Sequence, residues 1–137
     1  IKKIINVLKK KIKIPKKKKK IKKLEGNKII KVSRRGKFIL VTFNNNKILL
    51  FHLGMSGRFV LKKKPFVFCK HDHFVLIMKK KFCVILNDPR RFGLVEITSK
   101  KELCVSKHLK HLGIEPLSKK FTYDYLNKIL FKKKKKY

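Results

Sequence analysis

The sequence feature that most constrains the fold is a series of short apolar runs between residues 27 and 97, each closed by a turn signal. Valine, isoleucine, leucine and phenylalanine dominate the runs, and glycine-, asparagine- or lysine-containing segments separate them. Short strands at such close spacing are typical of an antiparallel sandwich or barrel. We therefore predict a mainly β domain with strands at residues 27–33, 38–43, 47–53, 58–61, 72–78, 82–86 and 94–97.

Helices are predicted to flank this β region. Ser99 followed by Glu102 has the spacing of a capping box, which predicts a helix that begins there. Apolar residues recur at helical spacing near the end of the chain. The predicted helices cover residues 16–24, 100–112 and 121–131, and a further strand region covers residues 1–14.

Six residues with the sequence DPRRFG, residues 88–93, lie between the last two predicted strands. Pro89 suits the second position of a turn, and Gly93 can take a positive φ where the chain turns back. We predict a stiff hairpin whose tip carries two guanidinium groups beside an exposed phenyl ring. A wedge next to such hydrogen-bond donors is suited to opening a base stack and reading the bases that remain.

The charge of the chain points to a polyanionic partner. Its 137 residues include 41 lysines and arginines against seven acidic residues, a net charge of +34. A general bias towards lysine explains part of this charge, but self-repulsion still favours a partner such as nucleic acid or, second, an anionic membrane. Only five of the basic residues are arginines, and four of these lie in residues 34–37 and 88–93. Arginine therefore marks places where a planar, bidentate donor is required.

Neither a disulfide framework nor a metal site is predicted. The three cysteines are odd in number and lack CxxC spacing, so we expect small buried apolar residues in a reducing compartment. His71 and His73 flank Asp72, but two histidines at this spacing without a third ligand do not make a zinc site. We expect His73 to be structural, with a local hydrogen bond to Asp72.

Five motifs stand in order along the chain, namely RRGK (34–37), HLGMSG (52–57), KHDH (70–73), DPRRFG (88–93) and LGIEPL (112–117). Together they resemble the N-terminal domain of formamidopyrimidine-DNA glycosylase, the bacterial enzyme that removes oxidised purines. The resemblance implies a two-sheet antiparallel β-sandwich over residues 1–115 and the start of a helix-two-turn-helix region over residues 116–137. It also implies that the partner is double-stranded DNA containing oxidised bases or abasic sites.

The resemblance further implies roles for individual residues. Lys37 matches the family's catalytic lysine, which works on the phosphate and proton-transfer side of strand cleavage. Met55, Arg90 and Phe92 match the residues that fill the gap left by an extruded base. Arg90 would face the orphaned partner base, and Phe92 would wedge the stack.

Further DNA contacts are expected from the same comparison. His71 matches a DNA-binding position, as does Arg90, and Lys133 in the terminal lysine run matches another. His52 has two interpretations, a hydrogen-bonded residue at a strand end or a phosphate contact. Arg91 also has two, a DNA contact or an ion pair with Asp88.

The chain departs from the family pattern at the reacting group. The family's nucleophile is the amine of an N-terminal proline that is followed by glutamate, and no Pro-Glu pair occurs near the start of this sequence. The family's zinc finger is also missing, so we expect no cofactor in this chain. We expect a fragment of a bifunctional glycosylase and AP lyase that binds DNA weakly and forms no Schiff base alone.

Other functions remain open at this point. A non-catalytic module could use Phe92 to kink duplexes, and a related endonuclease acts on oxidised pyrimidines, although the HLGMSG and DPRRFG motifs favour the purine enzyme. A basic membrane-surface protein is a third class, but the β-rich centre argues against it. We expect a monomer without a membrane partner.

Overall fold

The computed structural model describes residues 3–6, 21–79 and 81–134, and of residues 3–6 and 132–134 it describes the backbone only. Within these ranges the chain forms eight strands and two helices. The strands are β1 (Lys3–Asn6), β2 (Ile29–Arg35), β3 (Phe38–Phe43), β4 (Lys47–His52), β5 (Arg58–Lys63), β6 (Asp72–Ile77), β7 (Phe82–Asn87) and β8 (Leu94–Ser99). The helices are α1 (Lys100–Leu103) and α2 (Tyr123–Lys134).

The strands pair into two antiparallel sheets, ordered β1-β6-β7-β5 and β2-β3-β4-β8. Side chains alternate between the faces of a strand, so each sheet contributes every second residue to the space between the sheets. Phe43 and Phe51 of the second sheet meet Phe74 and Leu86 of the first in one buried cluster. This arrangement confirms the predicted antiparallel sandwich.

The outer faces of both sheets are also partly covered. Val75 and Ile85 of the first sheet pack with Phe66 in a second cluster, while the second sheet is covered by the segment after β8. As a result, β6 is buried along its whole length, and β4 is buried at its four central residues. Burial on both faces explains why these two strands read as continuous apolar runs rather than as alternating ones.

One predicted turn is confirmed, and two further predictions are described only in part. Asn46, in the predicted asparagine turn, has a φ of 60°. Of the helix predicted over residues 16–24, residues 21–22 are helical and are followed by a turn that ends at Gly26, which has a φ of 79°, while residues 16–20 lie outside the described residues. Of the strand region predicted over residues 1–14, β1 is described and the remainder lies outside the described residues.

The helix predicted over residues 100–112 is wrong in length. The capping box of Ser99 is present, but α1 ends at Leu103 and tight turns follow. The Ser106 hydroxyl accepts a hydrogen bond from the backbone of His108 at 3.3 Å, a local bond that competes with helix continuation. The turns place Leu103 and Leu109 against the second sheet. Helix α2 confirms the last predicted helix. Among the described residues, neither the length nor the apolar content of any helix reaches what a membrane span requires.

The hairpin predicted around DPRRFG is also wrong. Strand β7 already has β6 and β5 on its two edges, so β8 pairs with β4 in the other sheet. Residues 88–93, the crossover segment, therefore connect the two sheets. The positive φ falls on Arg91, at 61°, and not on Gly93. Gly93 is required for space instead, because a Cβ there would lie 3.0 Å from the Asp88 carboxylate.

The expectation of three buried cysteines holds for one of them. Cys83 is buried in the first sheet, whereas Cys69 and Cys104 are exposed. Cys69 lies in the loop before β6, where the ammonium of Lys62 is 3.4 Å from its sulfur. The general preference of cysteine for burial does not decide the position of a residue in a surface loop.

Candidate nucleic-acid interface

The crossover segment carries an exposed aromatic ring beside a guanidinium group. The Phe92 side chain is 59% exposed, although phenylalanine usually lies in the core. The guanidinium carbon of Arg90 lies 5.1 Å from the centre of that ring, within the range of a cation–π contact. The structure therefore places the ring at the surface, as the wedge hypothesis requires.

A buried carboxylate holds the crossover segment in shape. The Asp88 side chain is fully buried and accepts hydrogen bonds from the Ser56 hydroxyl at 2.7 Å and the Gly93 backbone at 2.8 Å. The same Ser56 oxygen accepts from the backbone N–H of Arg90 at 3.2 Å. Within the described residues no ion pair joins Asp88 to Arg91, so the alternative of such a pair is wrong.

These hydrogen bonds also decide the charge of Asp88. Burial by itself would raise the pKa of this carboxyl, but hydrogen bonds from Ser56 and from the backbones of Gly93 and Arg91 outweigh burial and hold the pKa below its ordinary value. The side chain of His73 is buried, and its Nε2 atom lies 2.9 Å from the carbonyl oxygen of Asp88. His73 is thus structural, but its partner is Asp88 and not the predicted Asp72.

Residues 54–57, the methionine loop, pack directly against the crossover segment. Gly54 has a φ of 67°, and a Cβ at this position would lie 2.8 Å from the carbonyl carbon of Phe92. Glycine is needed here both for its backbone angle and for this close approach. Met55 is 74% exposed at the tip of the loop and is therefore not a core residue.

A cleft of about 680 Å³ lies beside the crossover segment. Its walls combine positive charge with aromatic surface. The cleft is lined by Phe38, His52, Arg90, Arg91, Phe92, Gly93, Leu94 and His108. Guanidinium and imidazole donors near apolar rings can bind a phosphate group and an adjoining sugar or base.

His52 has a defined role at the edge of this cleft. Its Nδ1 atom accepts a hydrogen bond from the backbone N–H of Gly54 at 3.1 Å, which confirms the hydrogen-bonded strand-end interpretation. A neutral imidazole that accepts at Nδ1 carries its hydrogen on Nε2. The ring also contacts Phe38 in a tilted arrangement, with 4.9 Å between the ring centres, so His52 keeps a donor available while its orientation is fixed.

Residues 34–37, the arginine turn, are the β2–β3 hairpin turn, and their two arginines bind the protein itself. Arg34 and Arg35 form ion pairs with Glu115 at 3.0 and 3.1 Å. Their guanidinium groups do meet a planar acceptor, as expected of arginine, but that acceptor is a protein carboxylate. Lys37 is exposed, and its neighbour Phe38 lines the cleft.

His71 lies in the turn before β6. The carboxylate of Asp72 organises this turn by accepting from the Asn87 side chain at 2.8 Å and the Cys69 backbone at 2.9 Å. The backbone carbonyl of His71 accepts from the backbone N–H of Asp88, which ties the turn to the crossover segment. The His71 ring is half-buried, and its Nδ1 atom has no hydrogen-bond partner among the described residues.

Two further expectations concern Lys133 and metal binding. The backbone of Lys133 belongs to α2, and its side chain lies outside the described residues. Across residues 3–6, 21–79 and 81–134, no three histidine, cysteine or acidic side chains come together.

Sequence reasoning missed three residues that shape the site. Ser56 connects the two loops, Glu115 pairs with the arginine turn, and His108 lines the cleft. The Nε2 atom of His108 is 2.9 Å from the Glu96 carboxylate. For Glu115 the sequence did carry one signal. The chain has only seven acidic residues, so each of them is a candidate partner for a basic side chain.

Comparisons with known proteins agree with this geometry. The family model for the formamidopyrimidine-DNA glycosylase N-terminal domain matches residues 1–95. The formamidopyrimidine-DNA glycosylase of Zymomonas mobilis is 45% identical over 109 residues, which cover 80% of this chain and 40% of that protein. The protein of the same name from Rickettsia bellii is 42% identical over 106 residues, covering 77% and 38%. The chain thus spans about two fifths of the length of these relatives.

Solved structures of the Lactococcus lactis formamidopyrimidine-DNA glycosylase are similar over almost the whole chain. One, non-covalently bound to DNA containing an AP site, has a TM-score of 0.79 at 28% identity and covers 98% of this chain and 49% of that one. A second, in complex with DNA containing FAPY-dG, has the same TM-score and identity and covers 98% and 48%. Because the family model matches more than half of this chain and these structures have the same fold, the chain belongs to the formamidopyrimidine-DNA glycosylase N-terminal domain family.

Proposed function

We propose that this chain is the duplex-opening part of a base excision repair enzyme, a glycosylase for oxidised purines such as formamidopyrimidine and 8-oxoguanine that also nicks the strand as an AP lyase. The observation that carries the proposal is the exposed Phe92 ring beside Arg90, on a segment hydrogen-bonded to the loop of Met55. The similar Lactococcus lactis structures hold DNA with an AP site or a FAPY-dG lesion, which supports the same substrate class.

The three exposed side chains divide the work of opening a duplex. Extruding a nucleotide costs a few kcal/mol of stacking and pairing, so filling the vacated space slows its return. The flat ring of Phe92 can enter between neighbouring bases, and the unbranched Met55 can adapt to a gap of variable shape. Arg90 can present two donors to the unpaired base, a contact that contributes roughly 1–3 kcal/mol of discrimination.

The surrounding basic residues supply affinity. We assign phosphate contacts to Lys37, His52, His71 and Arg91, and to Lys133 from the family resemblance alone. Arg91 and His52 share the cleft with Phe92, so a phosphate held there would lie next to the inserted ring. Affinity should fall steeply with salt, with a slope of about −0.9 for each phosphate neutralised.

Within the chemistry, Lys37 is the residue we place near the scissile phosphate. None of the four prolines of this sequence is followed by glutamate, so the Pro-Glu pair that supplies the family's attacking amine is not part of this sequence. We therefore expect the chain alone to bind lesion DNA without forming a Schiff base. Borohydride trapping on an oxidised-guanine duplex tests this expectation, and a covalent adduct through this chain would contradict it.

The duplex-opening role is tested by fluorescence of 2-aminopurine placed next to an abasic-site analogue. Binding of the chain should raise the fluorescence because Phe92 unstacks the probe. Phe92→Ala should remove most of the increase. Phe68→Ala is the matched control, because it deletes another exposed ring, 43% exposed, outside the cleft. An unchanged signal in Phe92→Ala, or equal losses in both variants, would refute the proposal.

A second candidate function is a non-catalytic module that kinks duplexes, for which the exposed Phe92 ring would be sufficient. Such a module should bind intact and abasic duplexes equally well, whereas a repair protein should prefer the abasic one. Binding to a duplex with an oxidised purine, compared with binding to one with an oxidised pyrimidine, distinguishes the purine enzyme from the related oxidised-pyrimidine endonuclease.

The cellular setting and domain division are part of the same proposal. The named relatives are bacterial, so we place the protein in the bacterial cytoplasm, at the nucleoid by virtue of its substrate. We propose a monomer in which residues 1–115 form the sandwich domain and residues 116–137 begin the helical one.

A further inference from the structure

The arginine turn is held by a carboxylate about 80 residues away in the chain. Glu115 accepts hydrogen bonds from Arg34 at 3.0 Å, from Arg35 at 3.1 Å and from the backbone N–H of Gly36 at 2.6 Å. One carboxylate thus binds three consecutive residues of the turn. Charge-assisted hydrogen bonds of this kind are the stronger ones in proteins.

The segment before Glu115 completes the enclosure of the turn. The second terminal nitrogen of Arg35 donates to the carbonyl oxygens of Leu112, at 3.1 Å, and Gly113. A Leu112 methyl group lies 3.3 Å from where a Cβ of Gly36 would be, and Gly36 has a φ of 54°. The backbone angle, the packing and the hydrogen bonds all restrict the turn to one conformation.

These contacts leave one cation of the turn for DNA. The arginine turn contains three basic side chains, and two of them already bind a carboxylate or carbonyl oxygens. Among the described residues no such partner holds Lys37, which is exposed next to a residue of the cleft wall. In a chain with 41 basic and seven acidic residues, one acid committed to two arginines is a specific arrangement.

We propose that Glu115 is the positioning residue for Lys37. It fixes the arginine turn so that the Lys37 ammonium contacts a DNA phosphate, and it keeps Arg34 and Arg35 from binding phosphates in its place. This inference rests on the proposed function, because it assumes that Lys37 acts on DNA.

A double-mutant cycle on the whole chain tests the inference. The measured quantity is the slope of log affinity against log salt for a duplex containing an abasic-site analogue. Lys37→Met should reduce the slope by about 0.9 in the wild-type background, the value for one phosphate. In the Glu115→Ala background the same substitution should change the slope by less than about 0.3, because the lysine no longer reaches its phosphate.

Releasing the two arginines should have its own effect. Glu115→Ala should strengthen binding to an undamaged duplex and steepen its salt slope by up to about 1.8, two phosphate contacts. Asp124→Asn is the matched control, because it removes the same charge from an exposed carboxylate at the start of α2. It should leave the Lys37 effect intact.

A conservative variant separates positioning from general stability. Glu115→Gln keeps an acceptor for the Gly36 N–H and should retain part of the coupling to Lys37. This variant replaces Glu115→Ala in the test if the alanine variant unfolds. The Gly36 amide proton resonance gives an independent signature. It should lie further downfield in the wild type than in Glu115→Ala, and in the wild type it should titrate with the carboxyl of Glu115 at low pH.

The possible outcomes are distinct. Equal Lys37 effects in all backgrounds, with preference for the abasic duplex intact, would overturn this inference and leave the proposed function standing. Loss of the Lys37 effect in Glu115→Ala and its retention in Asp124→Asn would support it. A wild-type chain that shows no preference for the abasic duplex would refute the proposed function, and the inference with it.

Discussion

The hydroxyl of Ser56 donates a 2.7 Å hydrogen bond to the buried carboxylate of Asp88, 32 residues further along the chain. The same oxygen accepts from the Arg90 backbone, so Ser56 is bound to the crossover segment at two residues. This pair joins the loop that exposes Met55 to the segment that exposes Phe92. The two side chains proposed to enter the duplex are therefore positioned together.

Replacing Ser56 with alanine should weaken this connection. The Asp88 carboxylate would lose a donor while it stays buried, which costs about 1–3 kcal/mol of unfolding free energy. Urea unfolding measures this loss, and Ser33→Ala, at a half-buried position of β2, should cost less than about 0.5 kcal/mol. Preference for an abasic over an intact duplex should fall as well. A Ser56→Ala variant as stable and as selective as the wild type would contradict the connection.

Gly54→Ala should disturb the crossover segment more than its backbone angle alone explains. Alanine at a positive φ costs about 1–2 kcal/mol, and at position 54 the new Cβ would also lie 2.8 Å from the Phe92 carbonyl carbon. Gly26→Ala provides the control, because Gly26 has a φ of 79° and open space around it. Thermal unfolding should show the larger loss for Gly54→Ala. Equal losses would mean that the close approach of residue 54 to Phe92 makes no contribution to the stability of the fold.

Stability at acid pH should depend on Asp88. The folded-state pKa of Asp88 lies below its ordinary value of 3.8, so the ionised carboxylate stabilises the fold above that value. This contribution is lost as the pH falls through the lowered pKa. The difference in unfolding free energy between the wild type and Asp88→Asn should shrink across this range, as measured by urea unfolding at a series of pH values. Asp124→Asn, at an exposed site, should show no comparable trend.

Arg90→Lys should separate charge from geometry. Lysine keeps the positive charge but lacks the planar pair of donors, so the salt slope of DNA binding should stay unchanged. Discrimination between partner bases opposite the abasic site should fall by about 1–3 kcal/mol. Competition binding with the four partner bases measures it, and Arg58→Lys on β5 is the control. Unchanged discrimination between the partner bases would show that Arg90 does not recognise the unpaired base.

Local pattern was sufficient for most of the strands. Strand β3 spans Phe38–Phe43 as predicted, and β4 ends at His52, one residue before the predicted end. Apolar runs and turn residues act within a few residues of each other, so they can be read directly along the chain. The same is true of the Ser99 capping box, which is present although the helix it begins is short.

The local sequence pattern did not predict which distant segments pair. The chain around DPRRFG has the pattern of a hairpin, yet β8 joins β4 because both edges of β7 are already occupied. Arg34 and Arg35 were expected to meet a planar acceptor, but the sequence did not show that this acceptor is Glu115 of the same chain. In both cases the deciding partner lies far away in sequence, and nothing in the local pattern names it.

The β-rich sandwich, most of its turns, the family resemblance and the surface residues Met55, Arg90 and Phe92 could be predicted from the sequence, because they depend on side-chain type and near neighbours. The folded chain was needed to show which strands share a sheet, which arginines remain available to a ligand, and that Ser56 and Asp88 join the two exposed loops. Burial of a carboxylate and competition for strand edges are properties of the packed chain, and they arise only when distant residues meet.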